Sequence, residues 1–454
     1  MGHVKKVGIV HYRAGRTDGV SLEIEKRKTI LASIGIDTRI ISGAIQHGSD
    51  FIIDELEFDI PEIIEIKENS FKFFKNNTLS TDQLMRKIQE VSLKIEEQFM
   101  AYYRQEMFDA LLVHNIFCFG LHLPAALAFT RIARNLPIPV ISTNHDYYWE
   151  REEYLEPANE SIRDFMNSFV PPPNSDILHI SINSLAADEL RRRRDIDSLV
   201  IPDIFDFKQP PWERDEFNAD FLSSLGLKEN DLIVLQATRI IERKGIEIAI
   251  QFVKKLQEKK NEFVGKRLYN GKVITGDSDV VFVLAGYAEK AAQPYLARLK
   301  HEAGAAGIRA KFIHENVAAE RVCADRKTYS LWDCYVHADL VTYPSLVEGW
   351  GNQFIEAVFA KKPIVLFEYP VFEKDIKPEG YAYISLGSQI TSRDAAGLVQ
   401  IPGSTLDTAV DSTLDTLTSP LTPAKLDENF VIGEKYHDFD VIKHFFINQF
   451  CKSN

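Results

Sequence analysis

Short apolar runs recur along the chain, and most precede a stretch whose apolar positions return at helical spacing. Val7-Gly8-Ile9-Val10 leads to a helix expected from about Leu22, and Ala110-Leu111-Leu112-Val113 leads to a helix over 123–133. Val140-Ile141-Ser142 and the run 177–182 follow. Leu232-Ile233-Val234-Leu235 then precedes a helical segment over 246–256, with further runs at 280–284 and 338–341. These runs lack period-two alternation, the pattern of strands buried on both faces. Strands alternating with helices predict an α/β chain built on doubly wound parallel sheets covered by helices on both faces.

The alternation breaks twice. Pro171-Pro172-Pro173 lies in an aromatic and acidic insertion, and 201–216 is rich in Pro and Asp. The second break is read as the domain boundary. It divides the chain into 1–203, 204–430 and a last helix over 431–454 that crosses back to the first domain. The polar segment 261–279 reads as a surface excursion, 403–427 as a weak helix at most, and 438–450 as a closing helix.

Composition supports two cores: 454 residues exceed what one ordinary core holds. A net charge of −13 argues against nucleic acid and anionic membrane as partners, so a phosphate-bearing substrate needs a local basic pocket. Cys118, Cys323, Cys334 and Cys451 show no CxxC spacing, which fits reduced thiols in a cytoplasmic protein. The start of the chain carries no signal-like apolar region, and the apolar stretch 111–133 is interrupted by His114, Asn115, His122 and Pro124. No stable membrane anchor is expected.

Two strings follow predicted strands, at the edge where open α/β sheets bind ligands. Pro344-Ser345-Leu346-Val347-Glu348-Gly349-Trp350-Gly351-Asn352-Gln353-Phe354-Ile355-Glu356-Ala357 places two glycines before a helix that opens near Asn352. A helix start offers free amides and a positive dipole end, and Glu348 and Glu356 each accept hydroxyl hydrogen bonds. Leu235-Gln236-Ala237-Thr238-Arg239-Ile240-Ile241-Glu242-Arg243-Lys244-Gly245 sets Arg239 and Lys244 on the turn before the next helix. A guanidinium fork and an ammonium suit a diphosphate, while Arg243 reads as solvated.

Together these strings resemble the donor-binding half of the family-four retaining glycosyltransferases, nucleotide-sugar-dependent enzymes that carry an Arg and a Lys five positions on and two Glu eight apart. The resemblance is strong from Leu232 to about Glu368. It implies a GT-B fold, two Rossmann-like doubly wound domains facing a central cleft, the first binding acceptor and the second donor. It assigns the diphosphate to Arg239 and Lys244, the donor sugar to Glu348 and the ribose to Glu356. The backbone at Gly349, Trp350, Gly351 and Asn352 serves the sugar hydroxyls. Gly286, in Ala285-Gly286-Tyr287-Ala288, stands for the family's Gly-x-Gly. The Asn352-Gln353 pair, where the family often has an apolar residue, and the hinge Ile201-Pro202-Asp203-Ile204-Phe205-Asp206 depart from the pattern.

In the first half, Gly19 in Tyr12-Arg13-Ala14-Gly15-Arg16-Thr17-Asp18-Gly19-Val20-Ser21 permits a tight turn after the first strand. The resemblance places that loop beside the donor. His145, at the end of Ile141-Ser142-Thr143-Asn144-His145, corresponds to a family histidine near the donor sugar. His114 and Asn115 end another strand and are lesser candidates. Tyr147-Tyr148-Trp149-Glu150 offers aromatic surface to an acceptor or packs on its own domain. Asp277-Ser278-Asp279 has the DxD spelling of metal-dependent transferases but precedes its strand, and 191–194 is a run of arginines read as a solvated helix end.

The expectation is therefore a hexosyltransferase with Glu348, His145, Arg239 and Lys244 as its catalytic set. It needs no metal or cofactor and takes a nucleotide-diphosphate sugar, UDP-glucose or GDP-mannose. The acceptor is a hydroxyl on a small soluble molecule. A nucleotide-sugar epimerase of the same fold and a non-catalytic nucleotide-sugar-binding protein are the alternatives.

Overall fold

The structure, a computed structural model, describes residues 4–15, 19–45, 50–173, 176–318, 320–323 and 327–451. The chain forms two compact units, Met1–Ile204 with Phe439–Asn454, and Phe205–Asp438.

The first unit is built on a seven-stranded sheet. In chain order its strands are Lys6–Val10, Asp37–Ser42, Phe51–Ile52, Ala110–His114, Val140–Asn144, Ile177–Ser181 and Ser198–Val200. Every pairing is parallel. In space the third strand is at one edge, then the second, the first, and the fourth to seventh. The winding reverses between Lys6–Val10 and Ala110–His114, the kind of switch point beyond whose C-terminal strand ends open α/β sheets bind ligands. One face is covered by the helices Thr81–Glu106 and Leu123–Asn135 around Ile88, Phe99, Ala126 and Phe129. The other packs Ile24 and Leu31 against Ile442, Phe446 and Phe450 of the chain's end.

The second unit repeats the plan with six parallel strands. They are Leu232–Gln236, Val280–Leu284, Arg309–Phe312, Leu340–Tyr343, Ile364–Leu366 and Ile384–Ser385, in spatial order third, second, first, fourth, fifth, sixth. The reversal lies between Leu232–Gln236 and Leu340–Tyr343, the two strands that feed the strings singled out above. Leu232–Gln236 and Val280–Leu284 are buried throughout, the consequence of apolar runs covered on both faces.

Several sequence expectations are corrected. The first helix begins at Gly19, a turn before Leu22. The segment 403–427 is far from weakly helical: Gly403–Thr418 and Thr422–His437 are both helices. Leu406, Ala409, Val410, Thr413, Leu414 and Leu417 form a buried stripe at helical spacing, and the other Ser, Thr and Asp residues that masked it lie outside that stripe. The second of these helices runs through 431, so the return to the first unit begins at Phe439, with helix Phe439–Phe446. Of the arginines 191–194, Arg194 turns inward and donates to the carbonyls of Met166 and Pro171 at 3.3 and 2.9 Å. Among the described residues no helix is long and apolar enough to cross a membrane.

Candidate active site

The second unit's site is laid out by glycines that let loops touch. A Cβ on Gly286 would stand 1.6 Å from the carbonyl oxygen of Thr238, so only glycine lets the loop after Val280–Leu284 lie against the loop after Leu232–Gln236. Ile240 N–H donates to the Tyr287 carbonyl at 2.8 Å, and Ala285 N–H to Gln236 at 3.1 Å, closing the seam. Gly245 is left-handed, with φ of 57°, and a Cβ there would meet the Pro344 carbonyl at 2.3 Å. Leu346 N–H donates to the Arg243 carbonyl at 2.8 Å, joining the two motif loops. Beneath them Thr342 donates to the Gln236 side-chain oxygen at 2.7 Å, and the Gln236 amide donates to Thr238 at 2.8 Å.

Glu348 is the hub. Its side chain is 8% exposed, and its carboxylate takes Lys244 on Oε1 and Arg243 on Oε2, the latter at 2.6 Å. Arg243 also donates to the Val347 carbonyl at 2.9 Å, so this residue, exposed as the sequence suggests, is also a clamp on the glutamate loop. Burial alone pushes the Glu348 carboxyl up, but the fields of Lys244 and Arg243 outweigh it and hold it below the ordinary carboxylate value. Burial lowers the Lys244 ammonium, and Arg243 and Arg239 add to that against the opposing pull of Glu348. Arg239 lies at the surface and pairs with Glu289 at 3.0 Å.

The helix Asn352–Phe359 opens as expected, with Gly351 at its cap. Phe354 and Ile355 donate to the Gly351 carbonyl, leaving the first-turn amides of Asn352 and Gln353 without an acceptor in the helix. Gly351 is needed for space: a Cβ would sit 2.5 Å from the Tyr369 hydroxyl, which itself donates to the Trp350 carbonyl at 2.5 Å. Trp350 is buried against His437, with ring centroids 5.5 Å apart. One turn on, Glu356 Oε2 accepts the Tyr335 hydroxyl at 2.9 Å. Thus Lys244, Glu348 and Arg243 meet directly, with Arg239, Gly286 and the stretch Gly349–Glu356 on the adjoining loops. Asp277 and Asp279 lie before the strand Val280–Leu284, at the other edge of the sheet, engaged by Thr275, Lys228 and Arg309.

His145 and Gly19 belong to the first unit. Asn115, with φ of 57°, turns its side chain so that Oδ1 accepts the His145 backbone N–H at 2.9 Å and faces Nδ1 at 3.3 Å. His145 Nε2 lies 3.7 Å from Asp203 Oδ1. Burial, helped by the charge of Arg27, pushes His145 down to about 4, so it is neutral at physiological pH. Gly19 is the first residue of its helix, and a Cβ there would meet nothing within 4 Å among the described residues. Arg16, Thr17 and Asp18 of that loop lie outside the described residues. Tyr147 is fully buried and stacks on Trp149 at 4.7 Å, which makes it part of its own domain's packing.

Two doubly wound sheets, the second carrying cations and carboxylates at its switch point, define a glycosyltransferase of the GT-B class. The family described as Glycosyl transferases group 1 matches residues 218–386. The mannosylglucosylglycerate synthase of Petrotoga mobilis is 39% identical over 387 residues, covering 85% of this chain and 87% of that protein. Its counterpart from Thermotoga maritima is 35% identical over 440 residues, covering 96% and 97%. The sucrose-phosphate synthase of Thermosynechococcus elongatus shares the fold, with a TM-score of 0.62 at 14% identity over 99% of this chain and 100% of that one. The chain belongs to the family-four glycosyltransferases.

Proposed function

We propose that this enzyme transfers a mannosyl group from GDP-mannose to a hydroxyl of glucosylglycerate, with retention of configuration and without a metal. The observation that carries this reading is similarity along nearly the whole chain to proteins named for the product, mannosylglucosylglycerate. That name sets mannose on a glucosylglycerate, and it favours the mannose donor over UDP-glucose among the two expected from sequence. The acceptor is then small and soluble.

The donor is held by the second unit. As the bond from the anomeric carbon to the diphosphate oxygen breaks, negative charge gathers on the leaving group. Lys244, Arg239 and the amides at Asn352 and Gln353 stabilise that charge, the task a divalent ion performs in other transferases. Glu348 shares Lys244 and Arg243, so that centre keeps a surplus positive charge to offer a diphosphate. The acceptor oxygen bonds to the anomeric carbon on the face the diphosphate leaves, and its proton passes to the departing phosphate oxygen. Glu348 receives sugar hydroxyls and Glu356 the ribose. His145 is assigned to the sugar as a neutral hydrogen-bonding partner.

Nuclear magnetic resonance of the chelated enzyme with GDP-mannose and glucosylglycerate tests this. The expected result is GDP and an α-mannosyl product. Use of UDP-glucose instead, inversion at the anomeric carbon, or an isomerised donor without glycosidic product would each overturn it.

A further inference from the structure

A second basic recess lies in the donor-binding unit, away from the sugar-transfer loops. Its cavity, about 520 Å³, is lined by Arg214, Lys272, His337 and Lys362, with Glu229 and Asp339 as its acids. Glu229 and Asp339 precede Leu232–Gln236 and Leu340–Tyr343, whereas Arg239 and Glu348 follow those strands. The two places are thus separated by a strand's length, roughly 17 Å for five residues.

The charges in this recess do not balance. Arg214 pairs with Glu229 at 2.9 Å. Asp339 is taken by Lys272 at 2.6 Å, by the Asn270 amide at 2.7 Å and by the Ile233 N–H at 2.8 Å. Among the described residues Lys362 is left with carbonyl oxygens alone as hydrogen-bond partners, those of Ala338 at 2.9 Å and Val336 at 3.3 Å. Burial pushes its ammonium down to about 8, and Lys272 and Arg214 add to that against the pull of Asp339. An ammonium on a cavity wall with no carboxylate of its own favours an anionic guest, because the desolvation is already met and the guest supplies the missing charge.

We propose that this recess binds a small oxyanion-bearing metabolite, its phosphate or carboxylate seated on Lys362 with Arg214 at the rim. The site is independent of the diphosphate loops, so donor and oxyanion are held together. The recess is much larger than a bare phosphate, which leaves room for a short carbon chain behind the charged head.

The test is calorimetric titration and thermal shift of the full chain with inorganic phosphate, D-glycerate and uncharged glycerol. Saturable binding of phosphate or glycerate, and none of glycerol, is expected in the wild type and in Lys244→Ala. Which of the two binds tighter distinguishes a phosphate-bearing from a carboxylate-bearing guest. Lys362→Met is expected to weaken binding about thirtyfold or more, as loss of a buried charge partner does. Should Lys362→Met fold poorly, the surface change Arg214→Glu keeps the proposal exposed to failure, because it must also weaken binding. No saturable binding of either anion overturns the proposal. So does binding that survives in Arg214→Glu and vanishes in Lys244→Ala, which would place the anion at the diphosphate loops.

Discussion

At the residue scale the chemistry gathers on Glu348. Lys244 is buried beside it, and Arg243, more exposed, holds both its carboxylate and the Val347 carbonyl. The two cations therefore rank differently. Lys244→Ala strips the buried charge proposed to face the leaving group, and kcat/KM for the donor is expected to fall about 10²- to 10³-fold. Arg243→Ala leaves the Lys244–Glu348 pair in place and is expected to cost about 1 kcal/mol of stability, with a milder kinetic loss. Steady-state kinetics and urea denaturation of both variants check the order. Equal effects would mean that Arg243 contacts the donor itself.

The histidines set the acid response. Burial pushes His122, His145, His179 and His337 down to about 4. Below about pH 6.5 the unfolded chain protonates these residues while the folded chain does not. The unfolded state then binds more protons, so stability falls as pH drops from 6.5 toward 4. Glu150, pushed up to about 7 by burial, acts oppositely, because the folded chain holds its proton between pH 7 and its unfolded value. Four groups outweigh one, and the urea midpoint is expected to fall steadily from pH 6.5 to 4.5. A midpoint that rises over that range would contradict the burial of these rings.

At the element scale the account rests on loops that glycine allows to touch. Gly286→Ala forces a Cβ into the Thr238 carbonyl, where neither backbone yields cheaply. The variant is expected to lose about 3 kcal/mol or more together with donor affinity, the upper range for overpacking. Gly304→Ala is the contrast: it sits in the helix Gln293–Ala305 with open space around it. That change is expected to stabilise the protein by about 0.4–1 kcal/mol, by restricting the unfolded chain. Thermal unfolding separates the two signs.

The same loops show what a sequence conveys and what it withholds. Strand runs such as Leu232-Ile233-Val234-Leu235 are legible because burial on both faces leaves no polar position. The helix 403–418 was hidden because Thr and Ser count as loop formers until their neighbours supply a buried stripe. Lys244 and Glu348 stood out through the family resemblance of their two strings, and the fold brings their side chains together. Arg243 did not, since its role depends on a partner 105 residues away, and an arginine on a turn carries no local mark of that. Asn115 offered a weak signal, a polar residue closing an apolar strand, and its left-handed turn toward His145 appears only in the fold.

At the scale of the whole molecule, an acidic chain of net charge −13 still brings Lys244, Arg243 and Arg239 near one another at a switch point of its second sheet. A local cluster of cations is what an acidic chain needs if it is to take a diphosphate, as proposed above. Similarity to two mannosylglucosylglycerate synthases supports the proposed mannosyl step onto glucosylglycerate, within the glycosyl transfer that the family carries out. Replacement of metal by fixed protein cations is the central claim. It is tested most directly by single-turnover transfer from GDP-mannose with enzyme dialysed against EDTA, beside the same enzyme given excess Mg²⁺. The account predicts equal rates in the two samples and a rate lowered at least about a hundredfold in Lys244→Ala. A rate that appears only with Mg²⁺, or one that Lys244→Ala leaves unchanged, would contradict it.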